Sequence, residues 1–198
     1  MPSSRKKRPF SLERVPPGQG ITQGLPILHI GPVPAFHPES WDFRVGGLVG
    51  SNLVLSWEEF NRLPMVTVTA DFHCVTGWSR LDVAWEGVAF STIASLACPA
   101  PEAQFVLVHA EHGYTTNLPL SDLKQDDVLL ALKLEGRPLE AEHGGPLRLV
   151  VPKKYAYKAA KWVRGVEFLR EEVLGYWEAR GYSNTADPWT EDRYSSPG

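Results

Sequence analysis

Asp127-Val128-Leu129-Leu130-Ala131-Leu132-Lys133-Leu134-Glu135-Gly136-Arg137-Pro138-Leu139 is followed by Glu140-Ala141-Glu142-His143-Gly144-Gly145-Pro146-Leu147-Arg148-Leu149-Val150-Val151-Pro152, two apolar runs separated by charged and turn-forming residues. The first run, residues 128–132, is far shorter than the roughly 20 residues a membrane-crossing helix needs. The second, residues 147–151, lies between a Gly-Gly-Pro cluster and Pro152, and a short apolar run bounded in this way predicts a strand. From Gly144 to Gly165 the chain carries Arg148, Lys153, Lys154, Lys158, Lys161 and Arg164 and no acid. Such a segment is suited to receive an anion.

Elsewhere in the chain, strands are predicted over 41–45, with Gly46-Gly47 after it, and over 65–70 and 105–109. Ser56 as an N-cap with Glu59 three residues on predicts a short helix before Leu63. Helices are also predicted over 91–97, over 121–123, and over 171–180, the last closed by Gly181. No repeat and no alternation of strand and helix is visible, so a mixed-sheet α+β fold is expected. Residues 1–40 read as an extended arm that wraps the domain, because prolines 9, 16, 17, 26, 32, 34 and 38 break helices and withhold ladder donors. Residues 41–198 read as a single domain whose aromatic tail, 181–194, packs back on it.

The 198 residues are 43% hydrophobic, 22% charged and 11% aromatic, a composition that excludes a disordered chain, a coiled coil and a disulfide-dense mini-protein. With 20 basic against 23 acidic residues the net charge is -3, which argues against a nucleic-acid-binding surface. The basic residues 5–8 are followed by Pro9, Glu13, Pro16 and Pro17 where a signal peptide would be apolar. No membrane span is expected, and the chain reads as cytoplasmic. Its two cysteines, Cys74 and Cys98, have no CxxC spacing and support neither a disulfide framework nor a structural zinc site.

Cys74 stands in Asp71-Phe72-His73-Cys74-Val75-Thr76-Gly77-Trp78-Ser79, after a strand-like run and before a glycine turn. Taken alone it reads either as a buried core cysteine or as a thiolate ligand or nucleophile, the latter requiring cations nearby. The basic segment likewise reads either as a solvated strand edge or as a phosphate site, with Arg148 forking two donors, lysines adding point charges and glycines allowing close approach.

The run 127–152 together with Lys161-Trp162 resembles the molybdopterin-binding domain of the sulfite oxidase family, in order and in spacing. The stretch His73-Cys74-Val75-Thr76-Gly77-Trp78-Ser79, with Trp85-Glu86-Gly87-Val88 behind it, is similar to that family's molybdenum-ligand cysteine motif, closer to the bacterial methionine sulfoxide reductase catalytic subunits than to animal sulfite oxidases. The resemblance spans roughly residues 40–170. It implies a molybdenum-molybdopterin cofactor with Cys74 as metal ligand and catalytic residue. It also implies cofactor contacts at His73, Glu111, His143, Arg148, Lys158, Ala159, Ala160 and Lys161. Arg148, Lys158 and Lys161 would anchor the pterin phosphate, and His143 would orient the pterin.

The activity so implied is oxygen-atom transfer to or from a small substrate, with a separate electron-transfer protein as redox partner. Where sulfite oxidases continue Ala-Gly-Asn-Arg after the cysteine, this chain has Val75-Thr76-Gly77-Trp78, and Trp78 cannot bind sulfite by charge. An S-oxide or N-oxide substrate is therefore expected over sulfite, with Arg80 read as a surface residue. His29, His37 and His112 show no metal-ligand spacing and read as structural. The alternatives are a non-catalytic module that binds or carries the cofactor and an interaction scaffold with a vestigial site.

Overall fold

The computed structural model describes residues 12–195. The first part of the expected arm, with Pro9 and the basic residues 5–8, lies outside the described residues. The elements are β1 (Gly20–Ile21), β2 (Asp42–Gly47), β3 (Leu53–Ser56), α1 (Trp57–Asn61), β4 (Met65–Cys74), β5 (Trp78–Ala89) and α2 (Phe90–Ala97). There follow β6 (Phe105–Ala110), β7 (Thr115–Pro119), α3 (Leu120–Leu123), β8 (Leu129–Leu134), β9 (Arg137–Pro138), β10 (Arg148–Val150) and β11 (Val163–Leu169).

Two sheets form, and with few helices between their strands they make an α+β fold. β5 is the spine of the first sheet. β4 pairs antiparallel with it from Met65 opposite Val88 to Cys74 opposite Trp78. The other edge of β5 takes β1 in parallel at Trp78 and Ser79 and β8 antiparallel from Trp85 to Ala89. β10 and β9 complete this sheet by pairing with β8. The second sheet has the order β3-β2-β11-β6-β7, with only β2 and β11 parallel.

Period-two alternation distributes the side chains. Leu130 and Leu132 of β8 and Leu149 of β10 enter the large core shared with β2, β6, β11 and α2, while Leu129, Ala131 and Val150 face the other way, into a second cluster with Phe72, Val83, Trp85 and Ala159. The first sheet is thus buried on both faces at β8 and β10, which makes β8 a continuous apolar run with no visible alternation. Leu25 of the arm joins the second cluster, so the arm covers that face.

The strands predicted over 41–45, 65–70, 105–109 and 147–151 are present as β2, β4, β6 and β10. Ser56 and Glu59 form the reciprocal capping box at α1, and the helices predicted over 91–97 and 121–123 are α2 and α3. The helix expected over 171–180 does not form. Tyr176 N–H donates to Thr115 C=O at 2.8 Å, and Gly175 lies so close to β7 that a Cβ there would meet Thr116 Cα at 2.6 Å. Docking on β7 overrides local helix propensity, and only the 3-10 turn Glu178–Arg180 remains before Gly181 at φ 91°. The tail packs back as expected: Tyr182 bridges Tyr194, and Ala186 C=O accepts from Tyr155 N–H at 2.8 Å. Among the described residues no helix is long and apolar enough to cross a membrane.

Candidate functional site

A cavity of about 330 Å³ opens beside the end of the β4–β5 hairpin, over the second cluster. Phe72 and Cys74, two residues apart on β4, both line it. Cys74 is buried, 7% exposed, and its Sγ accepts from the Thr76 hydroxyl at 3.2 Å. Pleating turns His73 between them to the opposite side, where its Nδ1 lies 2.8 Å from Ser79 Oγ. The expected cofactor contact by the His73 side chain is therefore corrected: it is absent from the cavity lining, and burial holds its pKa below the usual histidine value.

Arg148 enters from β10, only 4% exposed. Its guanidinium carbon sits 5.2 Å from the Phe72 ring centroid and 5.3 Å from that of Trp85. Nη1 donates to His143 C=O at 2.8 Å and Nη2 to Ala159 C=O at 3.1 Å, while Nε has no partner. Among the described residues no carboxylate pairs with it. Burial pulls its pKa down to about 10, against the opposing pull of Tyr114 and Cys74. A buried cation without a counter-charge is costly, and an anion in the cavity removes that cost.

Lys161 and His143 join it in the lining. Lys161 Nζ donates to Glu142 C=O at 2.6 Å. Burial, then repulsion from Arg148, lowers its pKa to about 8. His143 is lowered by burial first and then by Lys161. Gly144, at φ 107°, is what lets the two long cations converge, since a Cβ there would lie 2.9 Å from Lys161 Cγ and 3.1 Å from Arg148 Cβ. Ala159 and Ala160, both buried, complete this side of the cavity.

Two expected contacts are corrected by burial and pairing. Lys158 is fully buried, outside the lining, and its Nζ donates to Glu178 and, at 2.8 Å, to Asn117 C=O, so it pins the tail to β7 and does not reach an anion in the cavity. Glu111 faces a smaller neighbouring cavity and accepts from Arg164 Nη1 at 2.7 Å. Arg80 pairs with Glu135 at 3.1 Å, away from the cavity.

The walls are aromatic and apolar residues, several of them from the arm and the tail. Trp78, Trp162 and Trp177 stand with Tyr114, Tyr157 and Tyr182, and the arm contributes Leu25, Pro26, Leu28, His29 and Ile30. His29, expected to be structural, packs its ring tilted against Trp162 with centroids 5.2 Å apart and lines the cavity. Among the described residues no three His, Cys, Asp or Glu side chains gather to hold a metal ion. The other cysteine, Cys98, is exposed at the end of α2. Among the described residues Cys74 is the one thiol in the cavity lining and could give a metal a protein ligand there, with further ligands supplied by a cofactor. The donor set fits molybdopterin: a soft sulfur for a sulfur-rich centre, aromatic walls for a planar pterin, and a guanidinium with a spare N–H beside Lys161 for a phosphate.

The α+β fold and this cavity define a candidate cofactor-binding domain. The oxidoreductase molybdopterin binding domain family matches residues 30–177, and the chain belongs to it, among the sulfite-oxidase-type molybdopterin oxidoreductases. It is 46% identical over 183 residues to an uncharacterized oxidoreductase, YuiH, of Bacillus subtilis, covering 92% of each chain. It is 27% identical over 161 residues to the protein-methionine-sulfoxide reductase catalytic subunit MsrP of Campylobacter jejuni, covering 73% of this chain but only 54% of that one. Among solved structures, the sulfane dehydrogenase SoxCD of Paracoccus pantotrophus superposes with a TM-score of 0.65 at 25% identity, covering 71% of this chain and 41% of that one.

Proposed function

We propose that the chain binds molybdenum-molybdopterin in this cavity and catalyses oxygen-atom transfer to or from a small S-oxide or N-oxide. The observation that carries the reading is the buried Arg148, which has no carboxylate partner among the described residues and lines the same cavity as Cys74. When bound, the cofactor supplies a two-electron redox centre at which an oxygen atom is exchanged. Cys74 gives that centre its protein thiolate. Arg148 and Lys161 hold the phosphate by charge-assisted hydrogen bonds, and His143 orients the pterin. Ala159 and Ala160 leave room for the pterin to lie against backbone.

The substrate class follows from what surrounds the thiol. Trp78 occupies the place where an arginine would serve a dianion, and Arg80 is engaged with Glu135. An apolar, aromatic mouth accepts a neutral S-oxide or N-oxide better than sulfite. A separate electron-transfer protein completes the cycle.

The test is a comparison of cofactor-loaded protein on methionine sulfoxide, dimethyl sulfoxide and trimethylamine N-oxide with a reduced viologen dye as electron donor, against sulfite with ferricyanide as acceptor. Turnover of an S-oxide or N-oxide is the expected result. Sulfite oxidation as the dominant activity overturns the substrate assignment.

A further inference from the structure

The turn Val75-Thr76-Gly77 that follows Cys74 is held from three directions. Gly77 N–H donates to Cys74 C=O at 3.0 Å and closes the turn. Gln19 Nε2, from the arm, donates to the same carbonyl at 3.1 Å. Arg193, from the tail, donates to Val75 C=O. Two of these three ties come from segments outside the family-matched span of 30–177, so this chain's own extensions fix the turn. The result is one orientation for Thr76, whose hydroxyl donates to Cys74 Sγ at 3.2 Å while its side chain lines the cavity.

A hydroxyl that donates to a sulfur draws electron density from it. In thiolate-ligated centres such hydrogen bonds are among the protein's controls of reduction potential, because a less donating sulfur favours the reduced metal. We propose that Thr76 is a positioning residue for the redox chemistry: its hydroxyl hydrogen-bonds the Cys74 sulfur and raises the reduction potential of the metal that this sulfur holds. The inference rests on the reading of Cys74 as the molybdenum ligand. It concerns the residue two places after the cysteine, where the sulfite oxidase pattern Ala-Gly-Asn-Arg has no hydroxyl.

The experiment is a redox titration of molybdenum followed by electron paramagnetic resonance in the cofactor-loaded wild type, Thr76→Val and Thr76→Ser. Valine keeps the branched shape and removes the hydroxyl, whereas serine keeps the hydroxyl. The expected result is a lower midpoint potential in Thr76→Val at wild-type molybdenum content, with Thr76→Ser returning toward the wild type. If Thr76→Val loses molybdenum, Thr76→Ala makes the same comparison without the branch. An unchanged potential in a fully loaded hydroxyl-free variant overturns the inference and leaves the cofactor reading standing. Wild-type protein that takes up no molybdenum overturns the cofactor reading, and the inference with it.

Discussion

Lys158 donates its ammonium to Glu178 across a contact from which water is excluded, both side chains being fully buried. The same lysine reaches Asn117, and Thr116 Oγ1 donates to Glu178 at 2.9 Å, so one ion pair ties β7, the segment carrying Ala159 and Ala160, and the tail that carries Trp177. Burial lowers the Lys158 pKa against the opposing pull of Glu178. Removing one partner of such a pair leaves a buried charge uncompensated and costs about 3–5 kcal/mol. Lys158→Met is expected to lose stability on that scale in urea denaturation, and Lys158→Met/Glu178→Leu to lose less than the sum of the single variants.

Arg148 is expected to behave in the opposite way. Because no carboxylate among the described residues compensates it, Arg148→Met removes a buried charge and not half of a pair. Cofactor-free Arg148→Met is expected to melt within a few degrees of the cofactor-free wild type, and the variant purified from a host that makes molybdenum cofactor is expected to lack pterin. Melting curves and pterin fluorescence read the two effects separately, and a folded variant that still retains pterin at the wild-type level contradicts the assignment.

Lys161 gives the cavity a pH dependence. Its pKa falls from 10.5 to about 8 in the folded protein, so the folded state gives up its proton at lower pH than the unfolded chain does. Between those values the unfolded state binds more protons, and this group's contribution to stability increases as pH rises from about 8 toward 10.5. Anion binding runs the other way, because the neutral amine attracts no phosphate. Calorimetric titration of cofactor-free protein with inorganic phosphate is expected to show affinity falling as pH rises through about 8, and Lys161→Met to flatten that step.

The arm covers the cavity with little backbone attachment. Thr22 N–H donates to Ser79 C=O at 2.9 Å, and Trp41 is anchored in the large core. Among the described residues no backbone N–H of residues 23–39 donates to a backbone carbonyl. Leu25, packed into the second cluster, and His29 on Trp162 hold this stretch by side chains. Segments held in this way open at low free energy. Limited proteolysis is expected to cut cofactor-free protein first within residues 23–39, faster in Leu25→Ala, and to slow when the cofactor is bound.

The sequence exposed those parts of the site whose roles are local. Cys74 at a strand exit, and Arg148 with Lys161 around Gly144, keep their relation through short-range geometry, and the structure brings them to one cavity. His73, Lys158 and Glu111 were misplaced because the direction of a side chain depends on pleat and tertiary partners: Ser79, Glu178 and Arg164 lie 6, 20 and 53 residues away. β8 showed no alternation to read because the sheet is covered on both faces there. The helix expected over 171–180 failed because Gly175 and Tyr176 dock on β7, a contact that no local pattern records. The arm's share of the cavity was invisible for the same reason.

Whether this cavity holds molybdenum-molybdopterin is tested by molybdenum analysis with pterin fluorescence on wild type and Cys74→Ser purified from a host that makes molybdenum cofactor. The expected result is near-stoichiometric molybdenum and pterin in the wild type, with metal-centred turnover lost in Cys74→Ser while the fold persists. Folded wild-type protein that contains neither and takes up no added cofactor contradicts the account.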